Sequence, residues 1–306
     1  MKNLFPTKAW RSCGWLLSGM VFLGLGIGGL TAAPIVEYSY NETGTSVSNS
    51  GSAGGSSTLY NATHTATDLH SANGTGVSGL SGDRAFDLTS SPGVGSAGPY
   101  QKAGFISAID SLKSFTLTGW FNTGKNATIA SGARLIDFTG ETANDGFVLW
   151  SSVAGALTLN VNGNASSSSS GNGTFGTENA WVFFAVTYDG TASTNNLKFY
   201  AGTTDTDPIL ASTQTLNEGT VGSVGPSSPL VIGNNYYTNR GFDGYMDNIT
   251  IFGSKADATG VLDLTAIQTV YDNNLANIPE PGIASLLALA GMSLALARSR
   301  RKQTAD

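Results

Sequence analysis

The chain has one cysteine, Cys13, and two histidines, His64 and His70, among 306 residues. Cys13 lies in an N-terminal apolar stretch, so the body of the protein can form no internal disulfide and no thiolate metal site, and its stability must come from burial. The histidines stand in a polar, turn-rich stretch. No Gly-x-Ser-x-Gly elbow or helical metal-ligand motif accompanies them, and they read as surface residues. Nor is there a Glu-x-Asp-x-x-Glu run, the strand pattern that would place carboxylates on one face at glycosidic spacing. The nearest carboxylate pair, Asp243 and Asp247, lacks the glutamates. Charged residues make up only 12% of the sequence, which implies a weakly charged surface.

Basic residues are scarce where they would matter for nucleic acid. Lys2, Lys8 and Arg11 stand at one end and Arg298, Arg300, Arg301 and Lys302 at the other. The segment between keeps 8 basic residues against 19 acidic ones, a net charge of −11. Such a surface repels polyphosphate and excludes nucleic acid as a partner. What is abundant is glycine, 40 residues, together with a hydrophobic fraction of 40%, enough for a packed interior crossed by many turns.

The two ends read as targeting segments. Met1 to Arg11 is basic, Trp15 to Leu30 is apolar, and Thr31-Ala32-Ala33 supplies small residues, which together describe a signal peptide over residues 1–33; an uncleaved anchor is the competing reading. Near the C-terminus, Pro279-Glu280-Pro281 precedes an apolar run, Ile283 to Ala297, and the basic tail Arg298, Arg300, Arg301 and Lys302. As a helix the run would be about 22 Å long, short of the ~30 Å hydrocarbon core. The basic tail stays cytoplasmic by the positive-inside rule, which places Pro279 and all that precedes it outside.

Between the ends, residues 34–275 show short strand-like runs separated by Gly, Asn, Asp, Ser and Pro, the pattern of an all-β sandwich. Phe115 to Phe121, Phe147 to Trp150 and Leu157 to Val161 alternate apolar with polar or small residues. Trp181 to Tyr188 is continuously apolar, as a strand buried on both faces would be. A closing helix is expected, with a capping box at Thr265 and Gln268 and with Ile267, Val270, Tyr271 and Leu275 on one face. The Ser- and Gly-rich stretches Ser46 to Ser57 and Asn162 to Gly176 read as solvated loops.

Two resemblances follow from these residues. The order Pro-Glu-Pro, apolar run, basic tail over residues 276–306 resembles the PEP-CTERM sorting signal. That resemblance implies export, an exosortase-type enzyme as partner, a stay in the inner membrane before sorting, and delivery to the cell surface or extracellular matrix; an ordinary tail anchor is the alternative. The runs Ser114 to Phe121, Trp181 to Gly190, Leu197 to Ala201, Pro229 to Gly233 and Phe242 to Phe252 resemble a LamG-like, concanavalin-type jelly roll, an antiparallel two-sheet sandwich. This implies a binding or adhesion module with no catalysis, associated with polysaccharide; a structural envelope protein without a ligand and a degenerate glycosidase are the alternatives. LamG-like relatives often bind calcium through aspartates, and Asp83, Asp87, Asp243 and Asp247 are the candidates here. Asp247 shares strand parity with Ile249 and Ile251 and should therefore face the core, where a bare carboxylate is costly. Trp120, Trp150, Tyr236 and Tyr237 are candidates for stacking on sugar rings, with the pair Tyr236 and Tyr237 the best placed for a loop site.

Overall fold

The structure is a computed structural model that describes residues 32–123, 132–139, 144–151, 155–168 and 179–276. Of the leader read over residues 1–33, residues 1–31 lie outside these, as do the sorting motif, apolar run and basic tail. Among the described residues, no helix is long and apolar enough to cross a membrane.

Two antiparallel sheets face each other. The first runs in the order β1 (Val36–Tyr38), β15 (Tyr245–Ser254), β6 (Ser114–Asn122), β11 (Val182–Asp189), β12 (Leu197–Thr203), β13 (Thr206–Gln214), with β4 (Phe86–Asp87) also paired to β15. The second runs β10 (Asn164–Ser167), β9 (Leu157–Val161), β8 (Phe147–Ser151), β7 (Arg134–Phe138), β14 (Val231–Ile232), β5 (Tyr100–Lys102), β3 (Ser56–Tyr60), β2 (Ser46–Ser48). This is the expected jelly-roll sandwich. Neighbours such as β6 and β15 are far apart in sequence, so pairing depends on contacts that only the folded chain brings together.

Strand alternation sends one side chain set inward. Phe115, Leu117 and Phe121 of β6, Val182, Phe184, Val186 and Tyr188 of β11, and Leu149, Leu159 and Ile136 of the second sheet are wholly buried in one core. Gly119 takes an inward position without a side chain because Ile249 and Phe184 already fill it; a Cβ there would lie 2.5 Å from Ile249 Cδ1. One polar thread crosses this interior. The Tyr40 hydroxyl donates to Gln101 Oε1, and Gln101 Nε2 donates to Ser57 Oγ at 2.6 Å, so each of these three side chains has a partner.

The first sheet is covered on its outer face as well. Trp120, Phe183, Ala185, Tyr200 and Phe252 point outward and pack under the helix α1 (Leu264–Ala276), whose Ala266, Ile267 and Tyr271 meet them. Tyr271 stacks on Trp120 at 5.3 Å, and Trp120 Nε1 donates to Asn274 Oδ1 at 3.1 Å. The helix is where the periodicity puts it, but its cap differs from expectation: Asp263, not Thr265, accepts a hydrogen bond from the Ala266 amide at 2.8 Å, an N-cap carboxylate bonding the third helical amide.

The stretch Ser46 to Ser57 is not a loop. It forms β2 and the start of β3, paired as a hairpin at the sheet edge, and it buries Val47 completely. Its low complexity hides one apolar anchor, Val47, and a close approach at Gly51, where a Cβ would sit 2.5 Å from the Ile35 carbonyl oxygen. Similarly, Asn164–Ser167 of the second Ser-rich stretch pairs with β9.

The helix seat is testable. Asn274→Ala leaves the buried Trp120 N–H without an acceptor and should cost about 1–3 kcal/mol in chemical unfolding. Tyr271→Ala should cost about 3 kcal/mol or more through lost ring packing. Both should keep a β-type circular dichroism spectrum.

Candidate functional site

With the first sheet covered on both faces, the outer face of the second sheet is where side chains converge without a covering element. Its register lines up one row across six strands: Asn160 on β9, Val148 on β8, Asp137 on β7, Val231 on β14, Lys102 on β5 and Thr58 on β3. Five interstrand steps make this row roughly 24 Å long. Beside it, Trp150 is paired across the strands with Arg134 on one side and Thr158 on the other. The inward partners of the same strands, Leu159, Leu149, Ile136 and Ile232, are core. Alternation places the row outward, and an irregularity between Arg134 and Ile136 on β7 leaves Arg134 opposite Trp150 beside it.

The loop after β14 crosses this row. Gly233 adopts φ +78°, and Asn234, fully buried, ties the loop together. Its Nδ2 donates to the carbonyls of Gly98 and Thr238, each at 3.2 Å, while its Oδ1 accepts from the amides of Asn235 and Arg240 at 2.9 and 2.8 Å. Asp137 holds the loop from below, accepting from the Tyr236 amide as well as from Thr139. The result is a fixed ridge bearing Tyr236 and Tyr237, whose rings meet edge to face at 5.2 Å, with Tyr237 60% exposed.

Hollows lie on both sides of the ridge. One, of about 140 Å³, is lined by Trp150, Arg134, Asp137, Asn160 and the two tyrosines. The other, of about 280 Å³, is lined by His64, Tyr100, Lys102, Pro229 and the same tyrosines. Arg134 lies over the Trp150 ring with its guanidinium carbon 4.5 Å from the ring centre, which fixes the indole plane by a cation–π contact. Burial pushes the Arg134 guanidinium down from its usual range; Asp137 opposes that shift and Arg240 adds to it. Burial raises the Asp137 carboxyl against the effect of its hydrogen bonds and Arg134.

Of the other residues singled out in the sequence, His64 lines the larger hollow and the rest fall elsewhere. Trp120 is fully buried under α1 and has no face for a ligand. His64 is exposed and touches the Tyr100 hydroxyl through Nδ1 at 3.1 Å. The His70 ring, expected at the surface, is instead turned inward, with 1% of its side chain exposed and Nδ1 at 2.8 Å from Asp68. The bridge between His70 and Phe86 draws it under the sheet edge.

The four aspartates do not form one cluster, and among the described residues no three His, Cys, Asp or Glu groups converge as metal ligands. Asp87 turns to the amide and hydroxyl of Thr89 at 2.9 and 2.6 Å, and Asp243 is exposed. Asp83 and Asp247 are a pair, 2% and 0% exposed. Asp247 is buried, but not on the face its parity suggests. A bulge between Asp247 and Thr250, with Asn248 at φ +49°, inserts one residue, so Met246, Ile249 and Ile251 face the core while Asp247 lies opposite Trp120 on the outer side. The loop over residues 74–83 covers it there. Asp247 Oδ2 accepts from the Val77 amide at 2.9 Å and Oδ1 from the Asn248 amide at 2.7 Å. Asp83 Oδ2 accepts from the amide and hydroxyl of Ser78, both at 2.7 Å. Burial, followed by the charge of Asp83, raises the Asp247 carboxyl well above the usual carboxylate range.

This pair gives a signed prediction. The folded protein holds the Asp247 proton more tightly than the unfolded chain, so this contribution to stability is greatest below the ordinary carboxylate pKa. It declines as pH rises from that value toward the raised one. The unfolding free energy of wild type relative to Asp247→Asn should therefore increase as pH falls from neutral through that window; a pH-independent difference would contradict the shift. Melts in calcium and in chelator decide the cation: a calcium-induced rise in wild type that Asp247→Ala lacks would assign the pair to calcium, and equal melts would assign it to hydrogen bonding.

A family model described as the Concanavalin A-like lectin/glucanases superfamily (Laminin_G_3) matches residues 96–261, more than half of the chain. No curated protein matches the sequence. Among solved structures, domain 4 of AbnA, an extracellular arabinanase from Geobacillus stearothermophilus solved in complex with arabinotriose, is 12% identical. Its TM-score is 0.51, over 78% of this chain and 98% of that one. The binding domain of botulinum neurotoxin serotype D/C is 15% identical with a TM-score of 0.51, over 79% of this chain and 52% of that one, so the chain spans about half its length. At these identities the likeness establishes the fold.

Proposed function

The chain belongs to the concanavalin A-like lectin/glucanase superfamily, and from that membership and the geometry of its second sheet we propose that it is a non-enzymatic carbohydrate-binding module. The observation that carries this reading is the convergence of Trp150, Tyr236 and Tyr237 on one outer face, with Asn160, Asn235 and Thr139 among them. Sugar rings offer apolar faces that stack on aromatic planes and hydroxyls that bond amide side chains, and this face supplies both from a rigid support. The likeness to an arabinanase domain solved with arabinotriose agrees with it. Hydrolysis finds no support there. Among the described residues, the acid lining the smaller hollow is Asp137, 4% exposed and engaged by Thr139 and Tyr236, whereas glycoside cleavage uses two carboxyl groups across the bond.

The ends of the sequence support a cell-envelope location for this module. Pro279-Glu280-Pro281 followed by an apolar run and the tail Arg298 to Lys302 is the order of a sorting signal read by an exosortase-type enzyme. The module then acts at the cell surface or in the extracellular matrix, on exopolysaccharide.

Trp150→Ala and Tyr237→Ala should each weaken polysaccharide binding about tenfold, near 1.4 kcal/mol, measured by affinity electrophoresis against a panel of soluble glycans. Tyr237→Ala should leave the melting temperature within the small range of surface changes. Binding that ignores both substitutions would reject the site, and release of reducing sugar by the purified protein would favour the glycosidase alternative. Separately, replacing Pro279, Glu280 and Pro281 with alanine should leave export intact but hold the protein in the inner membrane; unchanged surface delivery would reject sorting.

A further inference from the structure

We infer that the polysaccharide taken by this face is an acidic one, bearing carboxylate groups, and that Arg134 and Lys102 receive those groups on opposite sides of the Tyr236–Tyr237 ridge. The inference rests on the carbohydrate-binding reading and names the class of its ligand.

Charge distribution is the first support. Between Ile35 and Leu275 the chain carries 8 basic and 19 acidic residues, so a random patch of surface is acidic. The two hollows depart from that balance: the larger carries a cation and no acid among its lining residues, and the smaller pairs one cation with one acid. Lys102 lines one and Arg134 the other. Arg240 approaches from the end of the loop, its Nη1 3.3 Å from where a Gly132 Cβ would stand. Three of the eight basic residues thus gather at one face of a protein that is acidic elsewhere. The acid among them, Asp137, spends its oxygens on Thr139 and on the Tyr236 amide. It anchors the loop and leaves the guanidinium only partly compensated.

The state of Arg134 is the second support. Its Nη1 donates to the Gly132 carbonyl at 3.0 Å, and its Nε is shut off from solvent with no hydrogen-bond partner among the described residues. A guanidinium has five donors in a planar fork, and a buried one left short of acceptors is costly. Much of the desolvation that normally opposes an ion pair has already occurred here during folding, so an incoming carboxylate gains more than it would at a fully hydrated arginine. The Trp150 ring beneath holds the fork in one plane. Lys102, exposed on β5, stands two strands from Asp137 along the row, roughly 10 Å away at the backbone. A polymer lying along the row across the ridge therefore meets a cation on each side, which suits a repeating acid rather than a single terminal sugar.

The test uses the purified protein with polygalacturonate and alginate, each compared with its esterified, uncharged form. Wild type should bind at least one acidic polymer at least tenfold more tightly than its ester. That preference should shrink as salt rises from about 0.05 M to about 0.5 M, where screening shortens the reach of charge. Arg134→Gln should reduce the preference to about twofold or less, and Lys102→Gln should reduce it in part. Lys198→Gln, on the outer face of the first sheet, should leave it unchanged. The ester comparison uses unaltered protein and so holds even where a variant fails to fold. Equal binding of acid and ester, with dependence on Trp150, would overturn the acidic class and leave carbohydrate binding standing. No binding to either form of either polymer overturns the acidic class too, and a neutral glycan panel run alongside then tells whether carbohydrate binding survives.

Discussion

Double coverage of the first sheet is the constraint on which the rest of the structure depends. Its central strands β6, β11, β12 and β15 bury Leu117, Phe184, Phe199 and Ile251 against the second sheet and Trp120, Phe183, Tyr200 and Phe252 against α1 or its approach. A strand apolar on both sides cannot face water on either, so the chain must return after β15 to lay a helix over it. Once α1 and the loop over residues 74–83 occupy that outer face, the second sheet is left to present side chains to solvent. The location of the candidate site follows from where the hydrophobic area is, before any ligand is considered.

The two sheets also divide the work electrostatically. The first sheet takes in a pair of aspartates, Asp83 and Asp247, beneath its covering loop, with backbone amides to hold them. The second carries cations outward at Lys102 and Arg134 and ties Asp137 into a loop. A buried carboxylate in each case organises backbone: Asp247 closes the loop at Val77, and Asp137 sets the height of the Tyr236–Tyr237 ridge. These acids position chain segments. The groups that line the hollows beside them are aromatic, amide or cationic.

The ridge itself is local chemistry. Gly233 supplies the left-handed turn, and the buried Asn234 replaces missing ladder partners with five side-chain bonds. A loop held this way loses little further freedom on binding, which favours affinity for flexible polymers. Trp150 is fixed from the other side by Arg134, so the stacking surfaces on both flanks of the hollow are set before a ligand arrives.

From the sequence alone one could read an all-β body, the continuous apolar run of β11, the closing helix, the acidic bias of the body, and the loop tyrosines. Each is a local signal, since alternation, composition and turn residues act within a few positions. Tertiary structure decided what depends on distant partners. Trp120 and Trp150 both sit in alternating strands, and only the helix packed on the first sheet makes one core and leaves the other at a groove. The bulge at Asn248 moved Asp247 to the opposite face from Ile249, because one inserted residue inverts every parity argument beyond it. Val47, lost in a run of serines, proved to be a strand anchor. The pairing of Arg134 with Trp150, and of Lys102 with Val231 and Asp137, joins residues many turns apart through strand register, and register is a property of the sheet that no short stretch of sequence contains.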